Sequence, residues 1–179
     1  MPDHAAFLRG MNIGGRRITN DDLRRHFEAM GLDEVGLFRA SGNVVFSAGD
    51  ASHADLTTRI ESELAAALDY DVPVYLRTAA EVRAIAAHEP FPAAVVAASK
   101  GKLQVSLLLE RPGAKARKEV LALAPDEDRL AFGERELYWL PSGGLLESSL
   151  DLAAVAKLLG PTTVRTKGTI EQINRKYFA

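Results

Sequence analysis

Apolar positions along the chain switch between runs, alternation and a spacing of three to four, and each switch marks an element. HAAFLRG opens with an apolar run of strand length. From about Asn20, Leu23, Phe27 and Met30 recur at helical spacing; Thr19 and Asp22 resemble a capping box at the start, and Gly31 stops the helix. VGLFRA and NVVFSA read as two strands joined tightly at Ser41-Gly42, a hairpin. Leu56, Ile60, Leu64 and Leu68 follow Ser52 and Asp55 and predict a second helix, and VPVYLRT predicts a fourth strand. The order β-α-β-β-α-β over residues 3–78 is the split βαβ, or ferredoxin-like, unit. It implies an antiparallel sheet with the first strand central and both helices on one face.

The second half repeats the rhythm. Thr78 and Glu81 cap a short helix to His88, and the proline-containing EPFPAAVVAASKG is the expected boundary between lobes at 1–90 and 91–179. KLQVSLLLE reads as a strand, GAKARKEVLALA as a helix, and RLAFGERELYWL as a hairpin turning near Gly133-Glu134. SLDLAAVAKLLG is a helix stopped by Gly160 and Pro161, and TKGTIEQINRKYF is a last helix with Ile170, Ile173 and Tyr177 on one side. No residue-level repeat is visible, but β-α-β-β-α recurs. The expected fold class is therefore α+β: two ferredoxin-like lobes, each an antiparallel sheet with helices packed on one face.

Alternation assigns faces within the first sheet. Val72, Val74 and Leu76 take the core side, as do Ala6, Leu8, Phe38, Val44 and Phe46. The opposite, open face would then carry Phe7, Arg9, Arg39, Tyr75 and Arg77. Arginines among aromatics on such a face suit stacking on single-stranded nucleic acid. The RNP1 pattern is missing, however, and the same face equally suits packing on a second lobe, the favoured reading.

Composition narrows the class. The 179 residues are 47% hydrophobic and 26% charged with a formal net charge of −2, ordinary for a soluble globular protein and without a global field for nucleic acid. Residues 100–120 carry a net +4 and residues 49–90 a net −5, read as solvated faces. There are no cysteines, which excludes disulfides and thiolate chemistry and suits a cytoplasmic location. The opening MPDH has no basic region before an apolar core, so no signal peptide is expected, and no apolar run approaches a membrane span.

AFLRGMNIGG carries the most suggestive chemistry. Gly10 and Gly15 have P-loop spacing, but Arg16 and Arg17 follow where Lys and Ser/Thr are required. Asp21 and Asp22 also occupy the first turn of the next helix, where they complement its dipole by about 0.3–1 kcal/mol and repel a phosphate. G-x-G-x-x-G is absent, so neither an NTPase nor a dinucleotide loop is present. The glycines and Asn12 then serve to turn the chain, several at positive φ, or else a small anion is held by exposed N–H groups with Arg9, Arg16 and Arg17 nearby.

LRGMNIGGRRIT, LRRHFEAMGL and especially RASGNVVFS resemble the bacterial domain-of-unknown-function family 1697, whose members run LRGINVGG, a helix ending in glycine, then QSGNVVF. The match is specific over the first 48 residues and diffuse thereafter. Near the end TVRTKGTI takes the place of the family's TTRNWNTV, with Thr166 and Lys167 replacing the Asn-Trp pair and Gly168 after them. The resemblance implies a small α+β protein with ferredoxin-like lobes and no established reaction, so it carries over no catalytic residue.

Other chemistry is not nominated. His4, His26, His53 and His88 are scattered and read as surface residues, so no metal site is expected. Ser41 and Ser142 sit in turns, and Glu134 and Glu136 read as exposed hairpin charges. No catalytic residue and no cofactor is assigned. The expected site is a cleft lined by Arg9, Gly10, Asn12, Gly14, Gly15, Arg16, Arg39, Ser41 and Asn43 that takes a small anionic ligand or nucleotide. Single-stranded nucleic acid on the open face and a protein-interaction module are the alternatives, and no membrane partner is expected.

Overall fold

In the computed structural model, which describes residues 1–11, 17–39, 42–142 and 148–179, the first strand β1 (His4–Leu8) is buried at all five positions. It is followed by α1 (Asn20–Ala29), β2 (Asp33–Leu37), β3 (Asn43–Ser47), α2 (His53–Leu68), β4 (Val74–Thr78) and α3 (Ala79–Ala87). The sheet runs β2-β3-β1-β4 with every pair antiparallel, so β1 is central as expected. The second set is α4 (Ala93–Ala98), β5 (Gln104–Leu108), α5 (Ala114–Leu121), β6 (Arg129–Phe132), β7 (Glu136–Leu140), α6 (Leu152–Leu159), β8 (Thr162–Thr166) and α7 (Lys167–Ile173). Its sheet has the same order, β6-β7-β5-β8, again antiparallel. The fold is α+β with two ferredoxin-like sheets. Two compact units result, Met1–Ala84 with Ile173–Ala179, and Ile85–Gln172. Among the described residues no helix is long and apolar enough to cross a membrane.

The first core follows from alternation. Ala6, Leu8, Val44, Phe46, Val74 and Leu76 point to Leu23 and Phe27 of α1 and Leu56, Ile60 and Leu64 of α2. Thr19 Oγ1 caps α1 by accepting from Asp22 N at 3.1 Å, and Ser52 Oγ caps α2 by accepting from Asp55 N at 3.2 Å. In the second unit Leu137 and Trp139 meet Val120 of α5 and Val155 of α6.

Four expectations need correction. The second strand begins earlier and ends at Leu37, and Val35 and Leu37, not Phe38, join the helix-facing core. Leu37 pairs with Val44 and shares its core face, which puts Val35 on that face and Phe38 off it, and a left-handed Arg39 (φ 59°) turns the chain out of the strand. Gly36 is required there, because a Cβ would lie 2.9 Å from both Tyr177 Cε1 and Val45 Cγ2. Part of EPFPAAVVAASKG, expected only as the boundary between lobes, forms α4, with Pro92 at its N-cap. The tail helix keeps its α form only to Ile173 and widens to a π turn over Asn174–Phe178. Finally, His4 is buried and its ring stacks 5.7 Å from Phe46, while Glu136 is buried and its carboxylate accepts from Arg135 N at 2.8 Å.

The strand β8 escaped the hydrophobic pattern because TTVRT has one apolar residue, Val164, which is exposed on an edge strand. Its discovery exposes a residue-level repeat. Ala5 pairs with Arg77 and Val105 with Arg165, each arginine one position before a capping threonine. Thr78 and Glu81 form a reciprocal capping box, Glu81 N donating to Thr78 Oγ1 and Thr78 N to Glu81 Oε2. Thr169 N donates likewise to Thr166 Oγ1. Ala79 N donates to Asp3 O at 2.8 Å and Lys167 N to Leu103 O at 2.9 Å, so each helix is pinned to the residue before its central strand.

The second unit depends on one buried acid. Asp128 Oδ2 accepts from Trp139 Nε1 at 2.9 Å and from the Ser148 hydroxyl, and Oδ1 accepts from Ser142 N at 3.0 Å. Burial pushes this carboxyl up, but hydrogen bonds from Ser148, Trp139 and Ser142 outweigh it and hold the pKa below its ordinary value. Asp128→Ala is expected to cost about 2–4 kcal/mol, because buried donors left without an acceptor each cost about 1–3 kcal/mol. A depressed folded pKa contributes stability that is present above the unfolded value and lost as pH falls through the folded one. Denaturant titrations of both proteins should therefore differ most at neutral pH, with the difference narrowing as pH falls below about 4. A difference that is constant with pH would contradict the assignment.

Candidate functional site

Chain direction places the candidate groups at the end of β1. Leu8 N donates to Gly42 O at 2.8 Å on one side, and Arg9 N donates to Pro73 O at 3.1 Å on the other. The β1 exit thus lies between the β2–β3 turn and the start of β4. Gly10 is left-handed (φ 76°), and Arg9 is exposed.

The β2–β3 turn is built by Asn43 and Gly42. Asn43 is 1% exposed, and its Nδ2 donates to Phe38 O at 3.0 Å while Phe38 N donates to Asn43 O. Its amide therefore shapes the turn and is not presented to a ligand. Arg39 is exposed, its guanidinium 5.3 Å from the Phe38 ring centroid, and its carbonyl accepts from Asn20 Nδ2. The structure therefore gathers Arg9, Gly10, Arg39 and Asn43 around the end of β1. Asn12, Gly14, Gly15, Arg16 and Ser41 lie outside the described residues.

The face opposite the helices, which alternation left available to bases or to packing, is closed. Phe7, Tyr75 and Arg77 are each 0% exposed, and Ala5 and Val45 beside them are 1% exposed. Arg77 Nη1 donates to Leu76 O at 3.0 Å, so this cation is spent inside the protein. A stacking platform for bases needs exposed rings, and these are not exposed.

Closure reveals a residue that sequence reasoning had placed on that platform. The Tyr75 hydroxyl is buried and its proton has no acceptor among the described residues, the Arg9 guanidinium beside it being able only to donate. Burial raises its pKa, Glu61 adds to the rise, and the nearby Arg9 guanidinium works against both. Glu61 itself is held in place, its Oε1 accepting from Val74 N at 3.1 Å. A phenol without an acceptor beside an exposed arginine is a donor pair that an anion would complete. Register signalled it in advance, since Tyr75 pairs with Phe7 two residues before Arg9.

A second group of residues was missed. Lys167 and Glu171, one helical turn apart, pair at 2.7 Å in the other unit; His88 is exposed, as expected, with its ring 4.9 Å from the Tyr138 ring. The available signal was a Lys–Glu pair at i,i+4 in a helix starting directly from a strand.

The fold and site define a small α+β protein with two ferredoxin-like sheets and a cationic corner. The chain belongs to the DUF1697 family, described as protein of unknown function, whose family model matches residues 1–138. Among solved structures it is similar to the conserved bacterial protein SP0830 from Streptococcus pneumoniae, with a TM-score of 0.74 and 21% sequence identity over 98% of each chain. That likeness speaks for the fold alone. No curated protein matches the chain.

Gly42 is the geometric condition for the corner. Its φ is 74°, and a Cβ would lie 3.0 Å from Leu8 O and 3.1 Å from Leu8 Cβ. Gly42→Ala is expected to destabilise the protein by about 1–3 kcal/mol through positive φ and crowding together. Chemical denaturation measures this; a loss near zero would show that the turn relaxes without strain.

Proposed function

We propose that the protein binds a small anion of the phosphate type, free or as part of a nucleotide, where β1 runs into the glycine loop. The buried Tyr75 hydroxyl beside Arg9 carries this reading. An unsatisfied buried hydroxyl costs about 1–3 kcal/mol, and an anionic oxygen shared with Arg9 would repay it with two charge-assisted hydrogen bonds. Arg39 adds positive potential at the same strand end, and Gly10, Asn12, Gly14, Gly15, Arg16 and Ser41 belong to the proposed cradle by sequence. The reading assigns binding and no reaction, no cofactor and no catalytic residue. Single-stranded nucleic acid ranks below it, because the rings it would stack on are buried. The absence of cysteine supports a cytoplasmic setting for this function.

Calorimetric titration with inorganic phosphate and with a nucleoside monophosphate tests the proposal. Tyr75→Phe removes an unpartnered hydroxyl, so stability should hold or rise while affinity falls about tenfold, the worth of one hydrogen bond to a charge. Arg9→Ala should weaken binding at least as much. Unchanged phosphate affinity in both variants, or a large loss of stability in Tyr75→Phe, would refute the reading.

A further inference from the structure

A second site lies within the unit Ile85–Gln172. There a cavity of about 260 Å³ opens between the end of α3, α4 and the start of α7, walled by Phe91, Val96 and Leu103 and floored by Lys167 and Glu171. Lys167 is only 6% exposed. Its Nζ donates to Ala86 O at 3.0 Å and to Glu171 Oε1 at 2.7 Å, which uses two of three N–H donors. Glu171 uses one of two carboxylate oxygens in the same pair. The floor therefore offers one donor and one acceptor, and its two charges cancel, while Glu89, which also lines the cavity, is exposed and its charge is screened by solvent.

That cancellation decides the class of occupant. A carboxylate would meet Glu171 and Glu89, and a cation would meet the buried ammonium of Lys167, so either adds an uncompensated charge to a partly desolvated site. A neutral group with a carbonyl and an N–H matches both free positions and leaves the pair intact. The apolar walls suit an attached hydrocarbon or aromatic body. None of the α4 residues is buried, and Ala93, Val96 and Ala97 of this helix line the cavity.

We propose that this cavity binds a small neutral amide with an apolar body. Its carbonyl accepts from Lys167, its N–H donates to Glu171, and its body lies against Phe91, Val96 and Leu103. None of these residues belongs to the proposed anion site.

Three isosteric probes separate the possibilities: benzamide (neutral), benzoate (anionic) and benzamidine (cationic), titrated into the full chain and followed by NMR. Benzamide should bind the native protein about tenfold more tightly than either charged analogue, one hydrogen bond to a charged group being worth that factor. Glu171→Gln preserves an acceptor for Lys167 but leaves its charge uncompensated, so preference should pass to benzoate. Ala97→Phe, at an exposed position lining the cavity, should weaken all three by filling the space while the thermal midpoint stays unchanged. Phosphate binding should be the same in both variants, and Arg9→Ala should leave benzamide binding intact. The proposal fails if benzoate or benzamidine equals benzamide on the native protein, if Glu171→Gln leaves the preference unchanged, if Ala97→Phe retains full binding, or if no probe binds.

Discussion

A central strand paired on both edges and buried on both faces is the constraint from which the rest follows. β1 and β5 each occupy that position, and every residue in both is buried. Such a strand admits no solvated polar side chain along its length, so polar chemistry is displaced to its ends. The chain exits β1 into Arg9 and Gly10 and is held there by Leu8 N to Gly42 O and Arg9 N to Pro73 O. At the other end Asp3 receives the amides of Ala48 and Gly49 and the His4 ring, and its carbonyl anchors α3 through Ala79 N. The second unit repeats the anchor with Leu103 and Lys167. Buried central strands and pinned helix starts are thus two aspects of one solution.

Elements with both a period and a punctuating residue were legible in the sequence. Thr19, Ser52 and Thr78 cap the helices they were expected to cap, and β1, β3 and β4 keep their predicted pairing order. Elements whose stability is tertiary were not. β8 has the β-branched composition of a strand but little to bury, and it is held by pairing with β5. Phe38 was assigned to the core, but the pairing of Leu37 with Val44 sets the core phase of this strand on Val35 and Leu37, and that pairing is not visible in VGLFRA alone. The repeat between the two halves resides in an arginine–threonine step and a helix start, too small a signal to find without coordinates.

The site divides in the same way. The position of Arg9 and Gly10 was readable because a strand that ends in arginine and glycine delivers both to the end of the sheet. Asn43 was over-read: an asparagine in a turn serves the backbone first, and here its amide is spent on Phe38 O. Tyr75 was assigned to the right face with its exposure left undecided, since alternation gives direction and not what covers a surface. Lys167 was invisible as a site residue, because its meaning depends on Ala86 and on a cavity whose walls are far apart in sequence.

Everything proposed for the cationic corner assumes that the face bearing Phe7, Tyr75 and Arg77 is closed and that only its end reaches solvent. Hydroxyl-radical footprinting read by mass spectrometry measures that side-chain accessibility directly. Phe7 and Tyr75 should remain unmodified under native conditions while the exposed Met1 and Leu152 are oxidised, and both should become reactive only on unfolding. Modification of Phe7 and Tyr75 at the rate of the exposed residues would show an open aromatic face and contradict the account.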